Sequence, residues 1–404
     1  MKYILFRLKR FCGFLAGFVF FIAGIFKLLD PVGTGLIMQE YFNFLHLDFL
    51  APVAKPAGVL FAFVETTVGT ALVTGVWRKV TVFVALAFQV LFTLLTLMLV
   101  IFNPQMDCGC FGEAIHLTHM QTFLKNLVLL AMLLVFAFPL RHLGGPKKHK
   151  YASFAIVTVS VFAFGVYSWL RIPLVDYTAF KPAVALQAGH AFETAYEDMF
   201  ETVFVYEKDG QIQEYDLGHL PDSTWDFVET KTVMKRGFEE SVVSLSFSDD
   251  DGEYRDTLAV RGKVMVMSVY DAGMKSSRWV EVADFLQEAA RTGFRPLLLV
   301  ASTPQHMSEI LAGLPAKTSV IIEDNLYYSD RKTLITMNRS NAGVTYFSDG
   351  YLVCKWAGRA LPDVTELEEL HSGDDTELII GNDTSADLAF QAFLLYVFAV
   401  MLLL

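Results

Sequence analysis

The chain has 404 residues, of which 54% are hydrophobic, whereas soluble globular domains hold about 45–50%. Its net charge of −11 is unevenly distributed: residues 171–385 hold 36 acidic and 19 basic side chains, and the remainder is net positive. This balance argues against nucleic acid as a partner. The four cysteines are too few for a domain built on disulfides.

Six apolar segments are long enough to cross a bilayer, which needs about 20 residues. They are predicted at 11–29, 57–77, 80–102, 123–140, 152–170 and 388–404. The last is short, so an interfacial anchor is its alternative. Lys and Arg cluster before the first segment, between the second and third, and between the fourth and fifth. By the positive-inside rule these clusters are cytoplasmic, which predicts loop 103–122 and region 171–385 on the other side.

Region 171–385 is predicted to contain a β-rich part followed by an α/β part. Residues 201–206 and 211–216 flank Lys208-Asp209-Gly210, the pattern of a β-hairpin. From residue 262 onward, β-branched runs alternate with segments of helical spacing, which predicts an α/β sandwich with a mixed sheet. Its later predicted elements are a short strand at 320–323, a helix at 330–337, a hairpin at 344–347 and 351–356, and a helix at 362–371.

The strongest chemical motif is Asp107-Cys108-Gly109-Cys110-Phe111-Gly112, directly after the third predicted span. Outside the cytoplasm, two cysteines separated by one glycine can close a very small disulfide ring, and strained exposed disulfides are labile and oxidising. The alternative is a static staple or two thiols that never pair. A metal site is a further alternative, because Cys108, Cys110, His116 and His119 offer ligands for zinc or copper. Their spacing matches no common zinc module, and we predict no metal.

Glu65 lies inside the second predicted span, where a carboxylate is costly and is a functional candidate by default. We expect it to be held neutral, because charging it in the bilayer without a partner costs several kcal/mol. Its alternative role is a hydrogen-bonded packing residue beside Thr66 and Thr67. Lys27 and Asp30, at the end of the first span, are expected to anchor or pair at the interface.

Residues 10–140 resemble the MauE/DoxX group of redox-associated membrane proteins. The Cys-Gly-Cys motif after the third span is the most specific point of resemblance. The weaker points are Ala23 to Leu28 with Asp30-Pro31, Tyr41-Phe42, Glu65, and Thr122 to Asn126. The resemblance implies a DoxX-like four-helix core and thiol–disulfide chemistry outside the cytoplasm, and the longer layout is similar to DoxX-like proteins of Bacteroidetes-type bacteria. Cys108 and Cys110 are carried over as catalytic residues, with Glu65 and Lys27 as weaker candidates.

The segment from 262 to 371 resembles a thioredoxin-like fold but departs from it in two places. Asp271 to Arg278, where the redox helix would begin, contains no cysteine. Ala342 stands where a proline usually precedes the third core strand. We therefore expect this segment to be redox-inert and to bind a client or partner protein.

Together these observations predict an α-helical membrane bundle, a DoxX-like four-helix core plus two extra spans, with an extracytoplasmic α/β thioredoxin-like domain. The predicted units are a four-helix domain at 1–145, a fifth span at 146–171, a β-rich segment at 172–260, the thioredoxin-like domain at 261–375 and a last span at 385–404. The expected setting is the bacterial inner membrane, with the soluble domain in the periplasm, and the expected partners are the lipid bilayer and a periplasmic client or redox protein.

The expected function is thiol–disulfide exchange through Cys108 and Cys110, which would make the chain an oxidoreductase that passes electrons to a quinone or a partner protein. The alternative is a non-enzymatic envelope assembly or scaffold subunit in which the two cysteines are static. The redox state of the pair in cells distinguishes these functions, because exchange requires a mixed population.

Overall fold

The computed structural model describes residues 2–104, 106–138, 146, 148–188, 200–208, 211–215, 220–221, 224–234 and 242–403. The chain divides into two compact units. The first comprises Met1–Tyr177 and Asp383–Leu404, and the second comprises Thr178–Asn382.

The first unit is a helical bundle, and the prediction of six membrane spans is confirmed for the described residues. Six of their helices are long and apolar enough to cross a bilayer. These helices are α1 Lys2–Leu29, α3 Ala54–Thr74, α4 Arg78–Phe102, α5 His119–Ala137, α6 Lys148–Leu170 and α12 Asp375–Leu403. The last contains 29 residues and is not the short segment that the sequence indicated. The chain is therefore a multi-pass membrane protein.

A further helix, α2 at Pro31–Phe44, was not predicted. It follows α1 after the single residue Asp30, whose side chain accepts a hydrogen bond from the Gly33 amide at 2.9 Å. An aspartate before a proline is a strong helix start. The carboxylate accepts a hydrogen bond from a free backbone amide of the first turn, and proline has no N–H group that needs an acceptor. The chain thus turns at the end of α1 and begins a second helix at once.

Helices α1 and α3 form the tightest packing of the bundle because glycines line their crossing. A Cβ atom at Gly24 would lie 2.1 Å from Thr66 Oγ1, and one at Gly69 would lie 2.4 Å from the Phe21 amide nitrogen. Helix α4 packs on α5, and α6 packs on α3. At the other end of the bundle, the Ser153 hydroxyl on α6 donates to the Val400 carbonyl on α12 at 2.6 Å.

The second unit contains two sheets within the described residues. The strands of the larger sheet lie in the order β6-β2-β11-β10-β7-β8-β9. Strands β7, β8 and β9 are parallel, whereas β10 is antiparallel to both β7 and β11. Its strands are β2 Ala185–Ala188, β6 Val242–Leu245, β7 Lys263–Val269, β8 Arg295–Val300, β9 Leu326–Tyr328, β10 Gly343–Ser348 and β11 Tyr351–Trp356.

The smaller sheet has the order β4-β3-β5 and is antiparallel. It consists of β3 Phe200–Lys208, β4 Gln211–Tyr215 and β5 Asp226–Met234. The predicted hairpin is confirmed by the pairing of β3 with β4, although two residues of its turn, 209 and 210, lie outside the described residues.

Helices cover the larger sheet and bury two apolar clusters against it. The helices are α7 Ser276–Arg291, α8 Pro304–Ala312, α9 Ala316–Glu323, α10 Arg331–Met337 and α11 Val364–Ser372. The predicted strand at 320–323 is wrong, because these residues end α9 and the strand follows at β9. The short apolar run at 320–323 is compatible with a helix or a strand. In the structure it is helical, and Ile322 packs into the core. The predicted α/β alternation and mixed sheet are otherwise present.

Candidate functional site

The Cys-Gly-Cys motif lies in the connection between α4 and α5, at the end of the bundle where α1 also ends. Helix α4 stops at Asn103, which adopts a left-handed conformation with φ +43°. Helix α5 begins after Thr118, whose hydroxyl accepts from the Gln121 amide while the Gln121 side chain accepts from the Thr118 amide. This capping box fixes the start of α5 and therefore the length of the loop that carries the cysteines.

Two glycines shape the loop because both have backbones that other residues rarely adopt. Gly109 has φ +59° and Gly112 has φ +58°. Between them begins the short strand β1, Cys110–Glu113. A Cβ atom at Gly109 would lie 2.4 Å from Ile37 Cγ2 on α2, and one at Gly112 would lie 3.2 Å from the Phe26 carbonyl oxygen on α1. The glycines thus let the loop rest directly on α1 and α2.

Tyr41 ties the first cysteine to α2. Its hydroxyl donates to the Cys108 carbonyl oxygen at 2.9 Å. Burial is the main cause that raises the pKa of Tyr41, and the neighbouring Cys110 and Cys108 raise it further. Both thiols therefore lie within electrostatic range of one phenol, and the phenol stays protonated as a donor.

The two thiols occupy different environments. Cys108 is 5% exposed, whereas Cys110 is partly exposed. Burial raises the pKa of the Cys108 thiol, and Cys110 and Asp107 add to this, while Thr122 and Lys125 act in the opposite direction. Burial is the largest of these effects.

Thr122 is the polar side chain that faces the buried thiol from α5. Its hydroxyl is fully buried and has no well-aligned hydrogen-bond partner among the described residues. It nevertheless lies close enough to the Cys108 thiol to lower its pKa. A hydroxyl without a fixed partner is free to donate to sulfur when Cys108 becomes a thiolate.

The histidines of the loop do not join the cysteines in a cluster. His119 Nε2 lies 2.9 Å from the Met106 carbonyl oxygen, and Nδ1 lies 3.3 Å from Asn103 Oδ1. His116 Nε2 lies 3.9 Å from Asp107 and 3.8 Å from Glu113. Among the described residues no group of three or more His, Cys, Asp and Glu side chains is arranged to hold a metal. The geometry gives no support to the alternative of a Cys/His metal site.

Lys27 and Glu65 form an ion pair inside the bundle, with Lys27 Nζ 2.6 Å from Glu65 Oε2. Their side chains are 14% and 6% exposed. The expectation that Glu65 is neutral assumed that it has no partner, and Lys27 removes that premise. The Lys27 ammonium also lies 5.4 Å from the centroid of the Phe92 ring on α4, a favourable cation–π distance.

Lys27 connects the ion pair to the thiol loop through its backbone. A Cβ atom at Gly112 would lie 3.6 Å from the Lys27 Cα atom, so the loop rests on this residue. The Thr34 hydroxyl on α2 donates to the Lys27 carbonyl oxygen at 2.7 Å. The ion pair between Lys27 and Glu65 therefore fixes the end of α1, and β1 and α2 both contact α1 at this end.

A buried polar seam between α4 and α5 continues from Thr122 into the bundle. Asn126 Nδ2 lies 3.2 Å from Thr96 Oγ1 and 3.3 Å from the Phe92 carbonyl oxygen, and Gln89 Nε2 donates to the Asn126 carbonyl oxygen at 3.0 Å. Such bonds hold membrane helices together. Gln89 and Thr96 were not predicted as site residues. Their sequence signal is the recurrence of polar residues on one face of an otherwise apolar helix.

An open cleft of about 460 Å³ is lined in part by Asp107, the residue before Cys108. Its wall combines apolar and polar side chains. The lining residues are Val100, Asn103, Met106, Asp107, Leu117, Thr118, His119 and Met120. Met106 and Met120 give the wall flexible apolar side chains.

In the second unit, the Asn341 side chain holds the backbone of Asp271, the first residue of the cysteine-free segment Asp271 to Arg278. The Asp271 amide donates to Asn341 Oδ1 at 3.0 Å, and Asn341 Nδ2 donates to the Asp271 carbonyl oxygen at 2.9 Å. Cys354 lies on β11, where it is 7% exposed and burial raises its thiol pKa. Its burial and raised pKa lower the reactivity of this thiol.

The family model described as methylamine utilisation protein MauE matches residues 3–139. Residues 3–139 are MauE-like. The match covers about a third of the chain and includes the ion pair, Tyr41 and the thiol loop. A second model, a domain of unknown function (DUF8463), matches residues 200–237, which include the smaller sheet. No curated protein and no solved structure matches the chain.

Proposed function

We propose that this MauE-like membrane protein exchanges thiols and disulfides with a client protein through Cys108 and Cys110. One observation carries the proposal: a buried thiol and a partly exposed thiol lie two residues apart in a loop that rests on α1 and α2. Exposure makes Cys110 the sulfur that meets the client, and burial makes Cys108 the resolving thiol.

In the oxidised form, a client thiolate attacks Cys110 Sγ and forms a mixed disulfide. The Cys108–Cys110 bond breaks, and its electron pair stays on Cys108 Sγ, where Lys125 and the Thr122 hydroxyl favour the negative charge before a proton is taken up. A second client thiolate then attacks the client sulfur of the mixed disulfide, and Cys110 leaves as a thiolate. The client gains a disulfide, and the pair gains two electrons.

The reduced pair must be reoxidised to act again. Two electrons and two protons then pass to an acceptor, for which we propose a quinone or the disulfide of a partner protein. Lys27 and Glu65 are positioning residues in this account, because they fix the end of α1 beneath the loop and do not touch the sulfurs.

The second unit is proposed to bind the client. The order β11-β10-β7-β8, with β7 and β8 parallel and β10 and β11 antiparallel, supports a thioredoxin-like core. The bonds between Asp271 and Asn341 occupy the place where a redox-active member would carry its cysteines. Without these cysteines, the second unit would bind the client and carry out no thiol exchange of its own.

The compartment proposed for the thiol loop and the second unit is the periplasm, with the bundle in the inner membrane. The Lys and Arg clusters at the opposite ends of the spans support this orientation. An added protease should digest the second unit in cells only after the outer membrane is permeabilised. Its digestion from the cytoplasmic side, in inverted vesicles, would contradict the orientation.

The exchange is tested by trapping the mixed disulfide in cells. Exchange also runs in reverse, when the Cys110 thiolate attacks a client disulfide and one client sulfur leaves as a thiolate. Cys108→Ala removes the thiol that resolves this mixed disulfide, so a client should remain attached and be released by dithiothreitol. Cys110→Ala should trap far less client, because Cys108 is buried. Cys354→Ala is the matched control and should trap none. The static scaffold would instead be favoured if Cys108→Ala formed no adduct and the pair in the wild-type protein were found in one fixed redox state.

A further inference from the structure

A groove of about 310 Å³ lies between α3 and α6. Its lining is almost entirely apolar. The residues are Leu28, Pro56, Val59, Leu60, Phe63, Phe162, Gly165, Val166, Trp169 and Leu170. Several of these side chains are exposed, among them Leu60 at 64% and Phe162 at 59%. Both helices are membrane spans, so the groove opens toward lipid.

Gly165 creates the groove. Elsewhere in the bundle, glycines allow close helix packing: a Cβ atom at Gly24 or Gly69 would clash with a neighbour. At Gly165 a Cβ atom would meet only Leu28 Cδ2 at 3.5 Å, an ordinary contact. This glycine therefore leaves space on the surface of α6.

The groove has the length of one bilayer leaflet. From Phe162 to Leu170 a helix rises by about 12 Å, and half of the hydrocarbon core is about 15 Å thick. The groove begins where α6 ends and α3 begins, which is the level of the headgroups on the side of the thiol loop. Trp169 at this level is the residue type that marks a membrane interface.

A cation stands at the same level. The Lys55 ammonium, one residue before Pro56, lies 4.5 Å from the centroid of the Trp169 ring. This cation–π contact holds the charge over the entrance of the groove. A long apolar channel with a fixed positive charge at its headgroup end is complementary to a lipid with an acyl chain and an anionic headgroup.

We infer that this groove binds an anionic phospholipid, with one acyl chain between α3 and α6 and its phosphate group beside Lys55. A neutral phospholipid would fill the same channel without the contribution of Lys55. One lysine near an anionic headgroup favours binding by about fivefold. The site would make the bundle selective for anionic lipid at this one position.

The test uses the full-length protein in detergent and counts bound lipid by native mass spectrometry. Dioleoylphosphatidylglycerol should bind about fivefold more tightly than dioleoylphosphatidylcholine. Lys55→Gln should abolish this preference, whereas Lys79→Gln, an equal charge change at the other end of the bundle, should leave it intact. Gly165→Leu fills the channel and should reduce the binding of both lipids.

Val59→Trp fills the channel from α3 and replaces Gly165→Leu if that variant does not fold. Equal affinity of the wild type for the two lipids would overturn the inference, as would a preference that survives Lys55→Gln. It would also fail if a copurified isoprenoid quinone occupied the groove and were displaced by Gly165→Leu.

Discussion

Replacing Glu65 with glutamine removes one charge from the buried pair with Lys27 and keeps the size of the side chain. At 2.6 Å and an effective dielectric constant of about 20, the attraction between the two charges is roughly 6 kcal/mol. Most of it offsets the cost of removing both ions from water. Glu65→Gln therefore leaves a buried ammonium without its counter-charge.

The expected loss of stability is about 3 kcal/mol. This is the lower end of the range for breaking a buried pair, and it matches the insertion cost of about 3 kcal/mol for one lysine in a membrane helix. The amide oxygen of glutamine still accepts a hydrogen bond from Lys27, which keeps the loss near this limit. Replacing both residues, with Lys27→Met and Glu65→Leu, should restore most of the stability, because apolar pairs are tolerated at such sites.

The assay is unfolding of the purified protein in mixed micelles by increasing sodium dodecyl sulfate, followed by circular dichroism. The wild type, Lys27→Met, Glu65→Leu and the variant with both changes form a double-mutant cycle that gives the coupling energy. Lys79→Gln, at an exposed position, serves as the charge control and should change stability by less than about 0.5 kcal/mol. A Glu65→Gln protein as stable as the wild type, together with additive effects in the cycle, would refute the ion pair.

Three further predictions concern the thiols and their loop. Iodoacetamide should modify Cys110 first, and the reaction of Cys108 should require higher pH, since burial raises the pKa of its thiol; mass spectrometry of peptides measures both. Gly109→Ala should destabilise the protein by more than about 2 kcal/mol, because its Cβ atom would combine a left-handed backbone with a clash against α2. Gly252→Ala is the control: its φ is +82° but its Cβ atom would meet open space, so only the backbone cost should appear. Thermal unfolding compares the two variants. With serine at both loop cysteines, exchange with a reduced client should disappear although Cys354 remains; residual turnover would contradict its inert assignment.

The spans and the thiol loop were predictable because their signals are local. Apolar length defines a membrane helix, and the Cys-Gly-Cys spacing is read directly from the chain. Helix α2 was not predicted, although Asp30-Pro31 is a recognisable start. Its 14 residues are too short for a span and lack a strong amphipathic pattern, so no rule for membrane helices identifies it. The strand predicted at 320–323 failed for a related reason, since a short apolar run fits helix and strand equally.

The geometry of the site depends on contacts between residues far apart in the chain. Lys27 and Glu65 were both candidates, but their pairing follows only from the crossing of α1 and α3, where glycines bring the helices together. The different burial of Cys108 and Cys110 likewise arises from α2 and α5, which enclose one thiol and leave the other open. Sequence alone gives two cysteines separated by one glycine and does not show which of them is more exposed.

The central claim is that Cys108 and Cys110 are a redox-active pair, and its most direct test is their midpoint potential. The full-length protein in detergent is equilibrated in glutathione buffers of defined potential, and free thiols are labelled and counted by mass, with Cys354→Ala and Cys12→Ala removing the other two cysteines. The small ring and the accessible Cys110 predict a midpoint between about −120 and −270 mV, the range of exchange proteins. A midpoint below about −300 mV, where structural disulfides lie, would contradict the claim.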